Sequence, residues 1–494
     1  MTGTDSGVPQ GEPRLLIDGK LVESSSGATF DNVNPATEQV LGPVADATAA
    51  DMDTAIAAAR RAFDDTDWST NHALRKQCLL QLQAALEEER ELIRAELVAE
   101  VGTPVLMTYG PQLDAPLSDG LLWPADQIDS FEWERDLPEG NAFGIRSWRK
   151  VAKEPVGVVG AITPWNYPFE IIVNKLGQAL ATGNTVVLKP APDTPWSATR
   201  IGRLIAERTD IPAGVVNVVT SADHLLGEQL VEDPRVDAIS FTGSTATGRR
   251  IMAHGAESLK RLFLELGGKS ASIYLDDADF SGLAMAWAGA CTHAGQGCAM
   301  QTRLLLPRSR YDEGVELVAE GFKTVTYGDP TDPNNFMGPL ISAKQRDRVL
   351  GYMQKGQDEG ARLVLGGGRP AHLGKGYYVE PTLFADVDNS MTIAQEEIFG
   401  PVLVLIPFDD DDDAVRIAND SHYGLSGGVT AGTEERALSV ARRIRTGTIG
   451  VNGGIWYGAD SPFGGYKASG IGRQNGLEGF EQYLETKTYA GPLA

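Results

Sequence analysis

Two short runs hold groups whose types and setting suit covalent chemistry. In F-L-E-L-G-G-K-S (263–270), Glu265 closes an apolar stretch and precedes two glycines. Burial there would raise its pKa and make it a usable base near neutrality. In A-G-Q-G-C-A (294–299), Cys298 lies between Gly297 and Ala299, small neighbours that leave its sulfur and backbone N–H open to a small electrophile. Separately, such residues are more often a small buried hydrophobe and a strand-end carboxylate. Together they suit a nucleophilic thiol followed by a base-assisted release step.

Other segments supply partners for that chemistry. In A-I-T-P-W-N-Y-P (161–168), two prolines restrict the backbone around Asn166, whose amide can donate to a developing oxyanion without ionising. Lys189 ends the strand-like run N-T-V-V-L-K-P, where a ribose hydroxyl can reach it. In F-T-G-S-T (241–245) a strand runs into a helix start. Gly243 permits close backbone approach, Ser244 offers a hydroxyl, and the first N–H groups suit a pyrophosphate. This is not G-x-G-x-x-G, and no Lys-Ser/Thr follows Gly248, so a triphosphate P-loop is rejected and a dinucleotide remains. No metal site is expected: the histidines never pair at i, i+4, and Asp409–Asp413 lacks the glycine and distal glutamate of a calcium loop. That acidic run reads as a helix start, and His293 as a structural histidine rather than a partner of Cys298.

The surrounding sequence must build elements that bring these residues together. Residues 50 to about 110 have helical spacing, and 131–155 reads as an extended hairpin. From 156 to 265 β-rich runs alternate with stretches long enough for crossover helices, the pattern of a parallel α/β sheet. A second alternation occupies 270 to about 460, L-L-I-D-G-K-L-V opens the chain as a short hairpin, and the tail reads as a strand or arm. With 494 residues, two or three domains are expected. The balance of 43 basic and 67 acidic side chains, a net charge of −24, opposes broad contact with nucleic acid or an anionic membrane. Three scattered cysteines, no signal-peptide pattern and no long apolar run indicate a cytoplasmic protein with about a dozen loose residues at its start.

The runs G-A-I-T-P-W-N-Y-P, V-V-L-K-P, F-T-G-S-T, L-E-L-G-G-K-S, G-Q-G-C, E-E-I-F-G-P-V and P-F-G-G-Y-K-A-S-G-I-G-R occur in order and at the approximate spacing of the aldehyde dehydrogenase superfamily. The chain resembles that superfamily from about residue 14 to 490. The resemblance implies a Rossmann-like cofactor domain (14–130 and 156–265), a second α/β catalytic domain (266–470) and a small β oligomerisation arm (131–155 and 471–494), in a homodimer or homotetramer. It implies Cys298 as nucleophile, Asn166 and the Cys298 N–H as oxyanion donors, and Glu265 as the base that activates the deacylating water. Lys189 joins this catalytic set and also the cofactor contacts, with Ile162, Thr163, Pro164, Trp165, Gly243, Ser244, Glu397 and Phe399. The cofactor implied is NAD, with NADP not excluded.

Two departures from the superfamily pattern stand out. Many NAD-preferring relatives carry a glutamate where this chain has Pro192, so a 2′-phosphate meets less repulsion, although Asp193 and the lack of a nearby Arg or Lys leave it no partner. Gln474 replaces a common glutamate that could share a proton relay with Lys175. The substrate pocket carried over from the superfamily is Tyr167, Ile171, Asn174, Met300, Trp456, Tyr457 and Phe463. It lacks an arginine for a semialdehyde carboxylate and a complete aromatic cage for a quaternary amine, which favours a neutral aliphatic or aromatic aldehyde. A CoA-acylating dehydrogenase and a non-catalytic binding protein on the same scaffold are the alternatives.

Overall fold

The computed structural model describes residues 10–493. Its first sheet has eight strands. Five are parallel, in the order Arg261–Glu265, Ala238–Thr242, Val158–Ile162, Thr185–Lys189 and Val216–Val218. Their Val- and Ile-rich sequences suit strands covered on both faces. Val158 and Val187 pack on one side with Met52, Ile56 and Leu230, while Val159, Val186 and Leu188 pack on the other with Phe169, Leu176 and Ile201. The chain winds outward from Val158–Ile162 through Thr185–Lys189, then crosses back to place Ala238–Thr242 on its other side. The carboxyl ends of Val158–Ile162 and Ala238–Thr242 therefore flank a topological switch point, where open α/β sheets leave a ligand crevice.

A second sheet of seven strands has Ala271–Tyr274, Arg303–Pro307 and Val402–Phe408 at its centre, all parallel and surrounding a separate apolar core. A third, antiparallel sheet joins Glu134–Ala142 and Ile145–Pro155 to the tail strand Leu484–Pro492. Helices Ala49–Asp65, His72–Glu88 and Arg90–Val101 fill the helical region read from the sequence. The opening hairpin pairs Leu15–Ile17 with Lys20–Val22, its turn held by Asp18 and Gly19 at positive φ. The acidic run forms the start of helix Asp411–Asn419, with Asp410 as its cap. No described helix is long and apolar enough to cross a membrane.

Three features differ from the sequence reading. The expected loose start falls mostly on residues outside those described, but Glu12 is buried and its carboxylate grips Arg14 at 2.7 Å. Thr29–Val33 and Val40–Ala45 form a hairpin whose polar, bulged sequence gave no clear alternation. Residues 471–494 do not act as one arm. Gly470–Ile471 pairs with the edge of the first sheet and Gly476–Glu481 is a helix, so only Leu484–Pro492 joins the hairpin.

The short strand Gly470–Ile471 matters because Gly470 stands opposite Glu265. Gly470 has φ of +136°, and a Cβ there would drive into the Leu264 carbonyl. Gly470→Ala should therefore lower unfolding stability by about 1–3 kcal/mol, read as a reduced denaturant midpoint, with activity falling as the Glu265 strand shifts. An unchanged midpoint would show that this edge contact holds nothing in place.

Candidate active site

Glu265 is the last residue of its strand, and Thr242 is its parallel partner on the next. The two glycines that follow serve separate contacts. A Cβ on Gly267 would collide with the Glu397 carboxylate, and one on Gly268 with the Cys298 carbonyl. The L-E-L-G-G run is thus where the first sheet, the cysteine loop and the E-E-I-F-G segment meet with no room for side chains. Before Cys298 the chain turns through three consecutive left-handed residues, His293, Ala294 and Gly295. Two of these are not glycine, so the surrounding packing must hold a conformation that costs about 1–3 kcal/mol per residue.

Cys298, Glu265, Asn166 and Thr242 line two cavities of contrasting character, one on each side of them. The first, about 180 Å³, is mostly apolar and is walled by Tyr167, Ile171, Asn174, Met300, Trp456, Tyr457 and Phe463, the seven residues carried over as a pocket. The second, about 170 Å³, is bounded by Pro164, Trp165, Gly243, Ser244, Glu397 and Phe399. Ile162, Thr163 and Lys189 line neither cavity. Lys189 ends the strand beside Ile162, and burial, partly offset by Asp223 and Asp46, lowers its pKa to about 8.

The electrostatics at the junction favour neutral resting groups. Glu265 is only 3 % exposed and its Oε1 has no hydrogen-bond partner. Burial raises its pKa, while the Lys175 charge and the nearby Cys298 thiol oppose the rise. Burial likewise lowers Lys175, whose Nζ donates to Ser240 Oγ at 2.9 Å. Cys298 is pushed well above an ordinary thiol, first by burial and then by the Glu265 and Glu397 carboxylates. Asn166 is 4 % exposed and spends one Nδ2 hydrogen on the Gln296 carbonyl at 2.9 Å, leaving the other for a ligand. His293 is buried, which lowers its pKa to about 3, and it packs edge-on to Tyr167 as a neutral structural group.

The second cavity fits a dinucleotide. Ser244 caps helix Thr245–Gly255 by accepting from the Thr247 N–H at 3.2 Å, and the Thr245 and Ala246 N–H groups have no partner among the described residues. Those donors are open to an anion. Glu397 accepts from the Gly268 N–H at 2.9 Å, and Phe399, at φ 60°, stands edge-on to Trp165. Gln474 donates to Gln178 at 2.9 Å and to the Asn174 carbonyl at 3.1 Å, whereas Lys175 donates to Ser240. The expectation that no cation lies near Asp193 is corrected: the fold brings His224 and Lys344 into its electrostatic reach from distant segments.

Sequence reasoning missed Thr242 and Glu170. Thr242 was visible only as the last residue before Gly243. Glu170, in the first turn of helix Pro168–Ala181, was signalled by a lone charge in an otherwise apolar run. It lines the first cavity and receives a hydrogen bond from the Tyr457 hydroxyl.

The chain matches the family described as "Aldehyde dehydrogenase family" over residues 21–489. It is 41 % identical over 482 residues to the 3-succinoylsemialdehyde-pyridine dehydrogenase of a Pseudomonas species, covering 97 % of this chain and 98 % of that protein. Among solved structures, it resembles a Mycobacterium tuberculosis aldehyde dehydrogenase complexed with NAD+, at 44 % identity and a TM-score of 0.92, covering 96 % of this chain and 97 % of that one. It also resembles the Staphylococcus aureus betaine aldehyde dehydrogenase in complex with NAD+, at 35 % identity and a TM-score of 0.94, covering 98 % and 96 %.

Because burial and nearby carboxylates both disfavour the thiolate, alkylation of Cys298 by iodoacetamide in the ligand-free protein should rise with an inflection above the ordinary thiol pKa of about 8.5. Glu265→Gln removes one of those charges and should move the inflection to lower pH. Peptide mapping separates this signal from Cys78 and Cys291, both buried. An inflection below about 8 that ignores Glu265→Gln would contradict this electrostatic account.

Proposed function

The chain belongs to the aldehyde dehydrogenase family, and from that premise we propose that it oxidises an aldehyde to the carboxylic acid with NAD, through a thioester on Cys298 that water hydrolyses. The observation that carries this reading is the junction of Cys298, Glu265, Asn166 and Thr242 between an apolar cavity and a polar one. An aldehyde in the first and a nicotinamide in the second would meet at the sulfur.

The chain's groups then act in sequence. Once Glu265 is ionised, the Cys298 thiol passes its proton to it as sulfur attacks the carbonyl carbon. The tetrahedral oxyanion takes hydrogen bonds from the free Asn166 N–H and the Cys298 backbone N–H, contacts of a kind worth about 2.7–4 kcal/mol in other enzymes. Bound NAD supplies the hydride acceptor, and oxidation leaves a thioester on Cys298. After releasing that proton to solvent, Glu265 draws a proton from water, whose oxygen attacks the thioester carbon; the carbon–sulfur bond then breaks, the acid leaves and Glu265 returns the proton to the Cys298 sulfur. Lys175, bonded to Ser240, is the buried positive partner that steadies an ionised Glu265. Lys189, outside both cavities, suits a ribose contact better than a chemical step. The apolar lining favours an aliphatic or aromatic body next to the carbonyl.

We read the eight-stranded sheet as the cofactor platform and the seven-stranded sheet as the carrier of Cys298. The three-stranded sheet exposes Phe143, Ile145 and Trp148, apolar groups that support its role as an oligomerisation arm.

In rapid mixing, Glu265→Gln should give a burst of reduced cofactor near one equivalent per site, itself slowed because the Cys298 thiol has lost its proton acceptor, followed by still slower turnover, and CoA added to the wild type should yield no acyl-CoA. Acyl-CoA as the main product, or wild-type turnover by Glu265→Gln, would favour the acylating alternative. For cofactor choice, NAD should be preferred and NADP measurably accepted, because Pro192 repels no phosphate and Lys344 and His224 lie near Asp193. Pro192→Glu should reduce kcat/KM for NADP more than for NAD. Equal reductions would remove this position from cofactor selection.

A further inference from the structure

The apolar cavity carries two acids and no base. Among the residues that line it, Glu170 and Glu265 bear carboxyl groups and none is Lys, Arg or His. Glu265 faces the sulfur, whereas Glu170 has no chemical task in the reaction proposed above. One Glu170 oxygen accepts from the Tyr457 hydroxyl, which in turn accepts from Asn174 Nδ2 at 3.2 Å. Among the described residues the other Glu170 oxygen has no hydrogen bond, and no positive side chain is paired with Glu170. Burial, and Asp119 held nearby by the Ala459 N–H at 3.3 Å, raise the Glu170 pKa to about 7 against the pull of the Tyr457 hydroxyl, so a cation bound beside it would hold it ionised. Trp456 and Phe463 stack in parallel at 5.5 Å on the same wall, offering aromatic faces to a cation.

A carboxylate set among apolar and aromatic groups is costly unless something pairs with it. The first turn of helix Pro168–Ala181 eases that cost only in part. We propose that Glu170 is the recognition residue for a protonated amine at the far end of the substrate, so that the preferred substrates are ω-amino aldehydes. The neutral aldehyde favoured by the sequence is amended accordingly, because that choice weighed a missing arginine and an incomplete aromatic cage and did not include Glu170 in the pocket. This inference rests on the aldehyde-oxidising reading of the site and names its substrate class.

The test compares 3-aminopropanal with butanal, which match in length and differ in the terminal charge. Wild-type protein with NAD should show kcat/KM at least about tenfold higher for the amine, as a charge-assisted hydrogen bond provides. In Glu170→Gln the ratio should fall about tenfold or more, with the loss in KM for the amine. Glu170→Asp, which keeps the charge but withdraws it, should fall between. No amine preference in the wild type, an unmoved ratio in Glu170→Gln, or equal losses on both aldehydes would overturn the proposal. Calorimetric binding of 3-aminopropan-1-ol against butan-1-ol reads the same contact without turnover. Selective amine binding lost in Glu170→Gln would uphold Glu170 even if aldehyde oxidation itself failed, and no selectivity would overturn it.

Discussion

The site depends on keeping the Glu265 carboxyl out of water while leaving one of its oxygens without a partner. A solvated glutamate would stay ionised near neutrality and be a weak base, and one fully paired would have nowhere to accept a proton. The fold meets both conditions by ending a buried parallel strand at this residue. Thr242 stands beside it on one edge and Gly470 on the other. Lys175 supplies a nearby charge from a helix on the sheet face, yet bonds to Ser240 and leaves the carboxyl free.

Other features follow from that placement. The backbone after Glu265 must pass between Glu397 and the cysteine loop, so two successive residues carry no side chain. The cysteine loop must reach the same point from the second sheet, and it does so through a left-handed turn that an ordinary loop would avoid. The two cavities are then a consequence of where the sheets meet. One opens toward the switch point of the first sheet and its helix N-terminus. The other opens toward the aromatic segment 456–463, which packs over the helix carrying Asn174 and Glu170.

Much of this was legible in the sequence where local pattern and chemistry coincide. Val-rich runs gave the strands, and Glu265, Cys298 and Asn166, which the fold brings to the same two cavities, each sit in a run whose small or rigid neighbours set them apart. The residues that escaped owe their place to tertiary packing. Thr242 and Glu170 have unremarkable neighbours and become part of the site only because a parallel register and a helix start point them there. Lys344 lies far along the chain from Asp193, and no local pattern links them. The tail was misread for a related reason: Gly470–Ile471 is too short to show alternation, and its partner is a strand some two hundred residues earlier.

The central claim is that carbon–sulfur chemistry passes through Cys298 and is cleared across this junction. Its most direct test is acid quenching during turnover followed by peptide mass spectrometry. The peptide containing Cys298 should gain the mass of the substrate's acyl group, two hydrogens lighter than the aldehyde adduct, only when NAD is present. An acyl mass on another residue, or turnover with none on Cys298 in the slow-release Glu265→Gln protein, would contradict it.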